Sequence, residues 1–341
     1  MITQESLTDH LVRFRLTNSS GIEATILNLG ATLMSLHMPD REGNIENVVL
    51  GLPNPEDYLN DHPFLGSTIG RFGNRIRNGQ FQLHGKTYQL DTNLGAHHLH
   101  GGKKGFHTRL WTGRIKGEKL ILTYPSPATE GGYPGNLDTS VSFELTERSE
   151  LVISFSAVSD ADTHVNMTHH AYFNLCGNLK RDVCDHILQL NAHQITAVDN
   201  DLVPTGELVS IIETPLDFTT PKRVGEDIAA DHPLITLAGG YDHNYVLDRE
   251  KEGLMLAARL EEPESGRALS TYTTQPGLQV FTANGMAEAF RDSSNKPMLT
   301  YGAICLEPQH FPDSPNIPHF PSTLLAAGEI YEETIVYHFE S

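Results

Sequence analysis

The sequence predicts an all-β fold, a large antiparallel β-sandwich, on three observations. Runs such as VSFEL (Val141 to Leu145), LVISFSAV (Leu151 to Val158) and TIVYHF (Thr334 to Phe339) are rich in β-branched and aromatic residues, and VSFEL alternates apolar with polar. The 29 glycines and 19 prolines lie scattered at short intervals between such runs, where a meander needs its turns. Helical periodicity is scarce. A long series of antiparallel strands buries its apolar faces only by stacking or closing sheets, which is why a sandwich follows. No linker, charge block or repeat marks a boundary, so residues 1–341 are expected to form a single domain.

Composition narrows the partners. The chain carries 43 acidic and 24 basic side chains, a formal charge of −19. Such an excess of acid repels phosphate backbones and anionic lipid, and no basic stripe offsets it, so neither nucleic acid nor a membrane is expected as a partner. No apolar run approaches the roughly 20 residues of a membrane helix. The first residues, MITQESLTDHLVRF, include Glu5 and Asp9 and lack the apolar stretch of a secretory signal. Cys176, Cys184 and Cys305 are an odd set without CxxC spacing, which predicts free thiols in a reducing compartment and a cytoplasmic protein.

Missing motifs exclude several chemistries. There is no GxGxxG after a strand, no GxxxxGK[ST] and no GxSxG, and GGKKGF (101–106) has none of those spacings. Acid–base chemistry and binding remain. The run VNMTHHAYFNL (165–175), taken as a strand, sets Thr168, His170, Tyr172 and Asn174 on one face and His169, Ala171, Phe173 and Leu175 on the other. Its polar face suits either solvent or a polyol. In AICLEPQ (303–309), Glu307 is a carboxylate in an apolar strand, fit for a strand end or for a site; it shares a face with Gln309.

Three other clusters gather polar groups beside glycines. In AHHLHGG (96–102), His98 and His100 share a strand face at a spacing some metal sites use, but no acidic ligand follows, and solvent-facing loop histidines are the plainer expectation. GRFGNRIRNG (70–79) and GGYDHN (239–244) combine flexible glycines with Arg or Asp, as ligand loops and ordinary hairpins both do.

In order along the chain, GRFGNRI (70–76), HLHGG (98–102) with Gly105, Phe106 and Trp111, GGYPGN (131–136), VNMTHHAYFNL, GGYDHNYVL (239–247), TTQPGLQVFTAN (273–284) and CLEPQHFPD (305–313) resemble the aldose 1-epimerase (galactose mutarotase) family. The resemblance spans nearly the whole chain. It implies a galactose-mutarotase-like β-sandwich, no cofactor, an aldose sugar as the small-molecule partner, and a monomer or homodimer. It places the general acid on His170, the general base on Glu307, and sugar-binding roles on Asn74, Arg75, His100, Asp242 and Gln279. Two departures stand out: His169 and Ala171 flank His170 where relatives often have Asn and Ser, and Leu94-Gly95-Ala96-His97 replaces an Asn-rich approach to HLHGG.

The implied chemistry suits these residue types. Carbon 1 of a hexopyranose is a hemiacetal, so it inverts by ring opening, C1–C2 rotation and reclosure, with one acid and one base and no redox carrier. No metal is required. Two other readings are a glycoside hydrolase using Asp242 and Glu307 as its carboxylates, and a sugar-binding protein on the same fold. Unperturbed groups titrating near ~4.3 and ~6.5 leave a narrow acid plateau, so Glu307 and Asp242 are expected to hold His170 protonated and raise its pKa.

Overall fold

In a computed structural model, residues 1–249, 251–286, 290–292 and 294–341 are described. The predicted runs are strands. VSFEL lies in Leu137–Leu145 (β1) and LVISFSAV in Glu150–Ser159 (β2), which pair antiparallel from Leu137 opposite Ser159 to Leu145 opposite Leu151. Along β1 every second residue, Leu137, Thr139, Val141, Phe143 and Leu145, is buried, as a half-buried strand requires. TIVYHF lies in Ile330–Glu340, which pairs with β2 and is central to a nine-stranded sheet.

The site belongs to a six-stranded sheet. Asp242–Leu247 (β3), Gly277–Phe281 (β4) and Ile304–Gln309 (β5) lie side by side in it, β3 against β4 and β4 against β5, all antiparallel. Tyr245, Leu278, Val280, Ile304 and Leu306 point from these strands into the same core as Phe143, Phe155, Ile335 and Tyr337 of the nine-stranded sheet. The Tyr337 hydroxyl donates to the carbonyl of Leu306 across that core. Two sheets therefore back onto each other, and the six-stranded sheet turns its other face toward loops. A five-stranded N-terminal sheet of residues 2–47 adds Phe14, Leu16, Ala24, Ile26 and Leu33 to the core.

The expected strand over 165–175 is the main departure. Its residues form two separate two-residue ladders, Thr168–His169 against Thr68–Ile69, and Tyr172–Phe173 against Cys305 and Ile304. Between them His170 bonds to a loop, its N–H donating to Ser67 O and its carbonyl accepting from Gly66 N–H, both at 2.9 Å. Gly66 has φ +64, and a Cβ there would sit 2.0 Å from Leu33 O, so only glycine fits this turn. The expected alternation survives the interruption, with Ala171, Phe173 and Leu175 in the main core. The solvent option for the other face does not, because every residue from Val165 to Leu175 is buried. Cys176, Cys184 and Cys305 are unpaired.

Candidate active site

Cross-strand register assembles the polar face. Gln279 on β4 lies directly opposite Glu307 on β5, and Asn244 on β3 lies opposite Gln279, which puts Asp242 two residues along on the same side. Loops roof this face. Arg75 and Ile76 pair with His98 and Leu99, and the backbone turns through left-handed φ at Asn74 and His100, which meet at one end of that ladder. Asn74, Arg75, His100, His170, Asp242, Gln279 and Glu307 all line one cavity of about 260 Å³. The structure thus brings together the seven residues that the motifs single out, although they span 234 positions of sequence, from 74 to 307.

The polar groups fall into two sets. In the first, the Arg75 guanidinium lies 3.4 Å from Asp242 Oδ2, Gln279 Nε2 donates to Asp242 Oδ1 at 2.5 Å, and Asn74 Oδ1 accepts from the Arg75 backbone at 2.9 Å. With both oxygens engaged, Asp242 is an oriented acceptor. In the second, His170 Nε2 stands 3.5 Å from Glu307 Oε1, while His170 Nδ1 and Glu307 Oε2 are buried without a hydrogen-bond partner. Buried polar atoms without partners are costly, and both residues line the cavity, where a ligand can change their surroundings.

The environment corrects the expected titration of His170. Burial lowers its pKa to about 3, with the imidazoles of His169, His107 and His62 adding to the effect. Burial also pushes Glu307 well above the usual carboxylate range; Asp242 reinforces this and Arg75 opposes it. The carboxylates do not hold the imidazole protonated, because desolvation penalises both charges more than their attraction repays. Burial likewise keeps His100 well below the ordinary histidine value.

His100 is oriented by its own loop. The Asn74 backbone N–H donates to His100 Nδ1 at 3.1 Å, which leaves Nε2 as the protonated, donating nitrogen of the neutral ring. That bears on metals, since ligand atoms of His100, His170 and Glu307 lie within 4.8 Å of one another. A metal on Nε2 of a neutral ring needs the proton on Nδ1, where the backbone N–H already points. The trio fits a hydrogen-bond donor beside an acid–base pair better than a metal centre. The spacing-based pairing of His98 with His100 fails as well: His98 Nδ1 is 2.7 Å from Asp91 O and its Nε2 is 2.8 Å from the Tyr133 hydroxyl, so both ring nitrogens are engaged away from His100.

Sequence reasoning missed several walls of the cavity, among them Phe64, Phe281 and Asn284; Tyr172 was placed on the correct face without a role. Phe281 follows from alternation with Gln279 on β4. Phe64 carries no such signal, because it stands in an irregular loop at φ +57.

A family model described as aldose 1-epimerase matches residues 12–338. Galactose mutarotase of Sus scrofa is 37% identical over 321 residues, 94% of this chain and 92% of that protein. Aldose 1-epimerase of Escherichia coli K12 is 34% identical over 327 residues, covering 95% and 94%. Among solved structures, a galactose 1-epimerase from Lactobacillus acidophilus superposes with a TM-score of 0.86 at 29% identity, covering 100% of this chain and 98% of that one. A GalM/aldose epimerase homologue from C. elegans gives 0.88 at 29% identity, covering 96% and 98%. Matched along nearly its whole length in both sequence and fold, the chain belongs to the aldose 1-epimerase family.

Proposed function

We propose that this protein is an aldose 1-epimerase that interconverts the α and β anomers of free aldohexoses such as galactose and glucose, with His170 and Glu307 moving the protons. The observation that carries this reading is the buried pair itself, 3.5 Å apart, with Nδ1 and Oε2 unpartnered, in a cleft that also gathers Asn74, Arg75, His100, Asp242 and Gln279. Glu307 takes the proton of the C1 hydroxyl as the C1–O5 bond breaks, and His170 delivers one to O5. The open chain then carries an aldehyde at C1. Rotation about C1–C2 presents the other face; O5 attacks C1, the O5 proton returns to the pair, and the former carbonyl oxygen is protonated. The pair begins and ends with one proton.

That stoichiometry accommodates the depressed His170. Burial favours neutral imidazole beside a protonated carboxyl, which is the same singly protonated pair with the proton on the other partner. A bound sugar brings hydroxyls that solvate whichever ions form. Arg75, Asp242, Gln279, Asn74 and the donating Nε2 of His100 hold the remaining hydroxyls while the chain is open. The glycoside hydrolase alternative gains no support, since both oxygens of Asp242 are engaged by Gln279 and Arg75.

The reading takes residues 1–341 as one domain acting as a monomer or homodimer, the single domain being in keeping with a core cluster running from Phe14 to Phe339. It places the protein in the cytoplasm on the strength of its unpaired cysteines. No described helix is long and apolar enough to cross a membrane. Polarimetry of freshly dissolved α-galactose and α-glucose tests the activity: purified protein is expected to speed the approach to the equilibrium rotation while leaving a methyl glycoside unchanged. Rates equal to the spontaneous ones, or cleavage of the glycoside, would overturn it.

A further inference from the structure

The His170 imidazole stacks against two aromatic rings. Tyr172 stacks on it at 4.8 Å between ring centroids and 17° between planes, and Phe64 stacks at 5.9 Å and 20°. Two aromatic rings thus lie nearly parallel to the imidazole whose edge faces Glu307. The jaws are tied to each other and to the strand between them. The Tyr172 hydroxyl donates to Pro63 O at 2.8 Å, one residue before Phe64. The loop that carries Phe64 also bonds both backbone groups of His170, through Ser67 O and Gly66 N–H.

Phe64 itself sits at φ +57, a backbone region that bulky side chains rarely adopt. Such strain persists where surrounding contacts over-determine it, and it collects at functional sites. Here the strained residue is held by Phe64 N–H to His62 O at 2.8 Å and Ser67 N–H to Phe64 O at 3.0 Å. Its ring also meets His100 and His107 edge-on, each at 4.7 Å. The strain therefore places one aromatic ring against three imidazoles, one of them His170.

We propose that Phe64 and Tyr172 form an aromatic clamp that positions the His170 imidazole and favours it when it carries a proton, a role that rests on the reading of His170 as an acid–base group. Aromatic faces carry negative electrostatic potential and attract a cation held over them, most strongly where water is excluded. Burial disfavours imidazolium, and the two π-faces oppose that penalty without introducing a second ionisable group. The stacking also removes ring rotation, so Nε2 stays directed at Glu307 and the sugar. Phe64 and Tyr172 are positioning residues on this account, because they act through His170.

The test is steady-state polarimetry on Phe64→Leu, Phe64→Tyr, Tyr172→Phe and His170→Asn, with melting temperatures to establish that each is folded. Phe64→Leu keeps apolar bulk and loses the π-face; kcat is expected to fall about tenfold with KM within about twofold, and the solvent deuterium isotope effect on kcat to rise. Phe64→Tyr restores the face and is expected to recover kcat to within about twofold. Tyr172→Phe keeps the stacked ring and loses only the bond to Pro63, for a loss of about threefold. Wild-type kcat in Phe64→Leu, a loss confined to KM, or failure of Phe64→Tyr to recover would overturn the clamp. An inactive His170→Asn beside an unaffected Phe64→Leu overturns the clamp alone, whereas an active His170→Asn overturns the acid–base reading and the clamp with it.

Discussion

The β1–β2 hairpin and the β3–β4–β5 face obey the same two-residue period and use it for opposite ends. On β1 the alternation sorts apolar from polar, so Val141 and Phe143 enter the core while Ser142 and Glu144 remain partly exposed. On β3, β4 and β5 both sides are buried: Tyr245, Val280 and Leu306 face the core, and Asn244, Gln279 and Glu307 lie on the other side, where the last two line the roofed cleft. A strand buried on both faces has no solvent side on which to leave its polar groups. Each of them must be paired, or else aimed at a ligand. Stability is therefore concentrated in the first region and chemistry in the second, and mutation should separate the two.

The largest expected effect is at the cleft. Glu307→Gln and His170→Asn should each lower kcat by roughly 10²–10⁴-fold, the usual worth of a general acid or base, with the melting temperature little changed or raised. Polarimetry and calorimetry on the same preparations check this, and substantial activity in either folded variant would break the contrast. On the hairpin, Phe143→Ala should cost about 3–5 kcal/mol of stability, because it empties a fully buried site, while kcat and KM of the remaining folded enzyme stay near wild type. Denaturant titration beside kinetics well below the melting point separates those outcomes.

Acid should weaken the fold more than the chemistry requires. Burial pushes His62, His98, His164, His186, His243 and His310 down to about 4, and His107, His169 and His170 to about 3. Above the unfolded value of ~6.5 these groups are neutral in both states and contribute no pH dependence. Below it the unfolded chain binds protons that the native state refuses, so stability falls with falling pH, by up to ~1.4 kcal/mol per pH unit for each group until its native pKa is reached. The melting temperature should accordingly drop steeply from pH 6.5 toward 4. A flat profile across that range would show that these rings are hydrated or protonated in the native state.

The smallest effect is expected at His169, next to the proposed acid. Its ring is fully buried, lies edge-on to Phe143 at 5.8 Å, and has no hydrogen-bond partner on either nitrogen. It belongs to the hairpin's core. His169→Asn should lower the melting temperature and leave kcat within a few-fold of wild type. A loss of activity there larger than at His170 would place the acid one residue earlier.

Much of this was legible in the chain. The alternation in VSFEL, the β-rich runs and the spacing of turn residues determine the all-β class, because a two-residue period is a local property. Separate short motifs likewise carried the seven cleft residues, through the resemblance that the blocks in order bear to the aldose 1-epimerase family. Tertiary structure alone decided the rest. That His98 and His100 serve different partners, that residues 165–175 break into two ladders, and that Phe64 covers His170 all depend on contacts between segments tens to hundreds of residues apart. The direction of the His170 shift belongs to the same class. In sequence His170 has carboxylates as expected partners, and attraction argues for a raised pKa; in the fold the ring is buried beside other imidazoles, and desolvation reverses the sign.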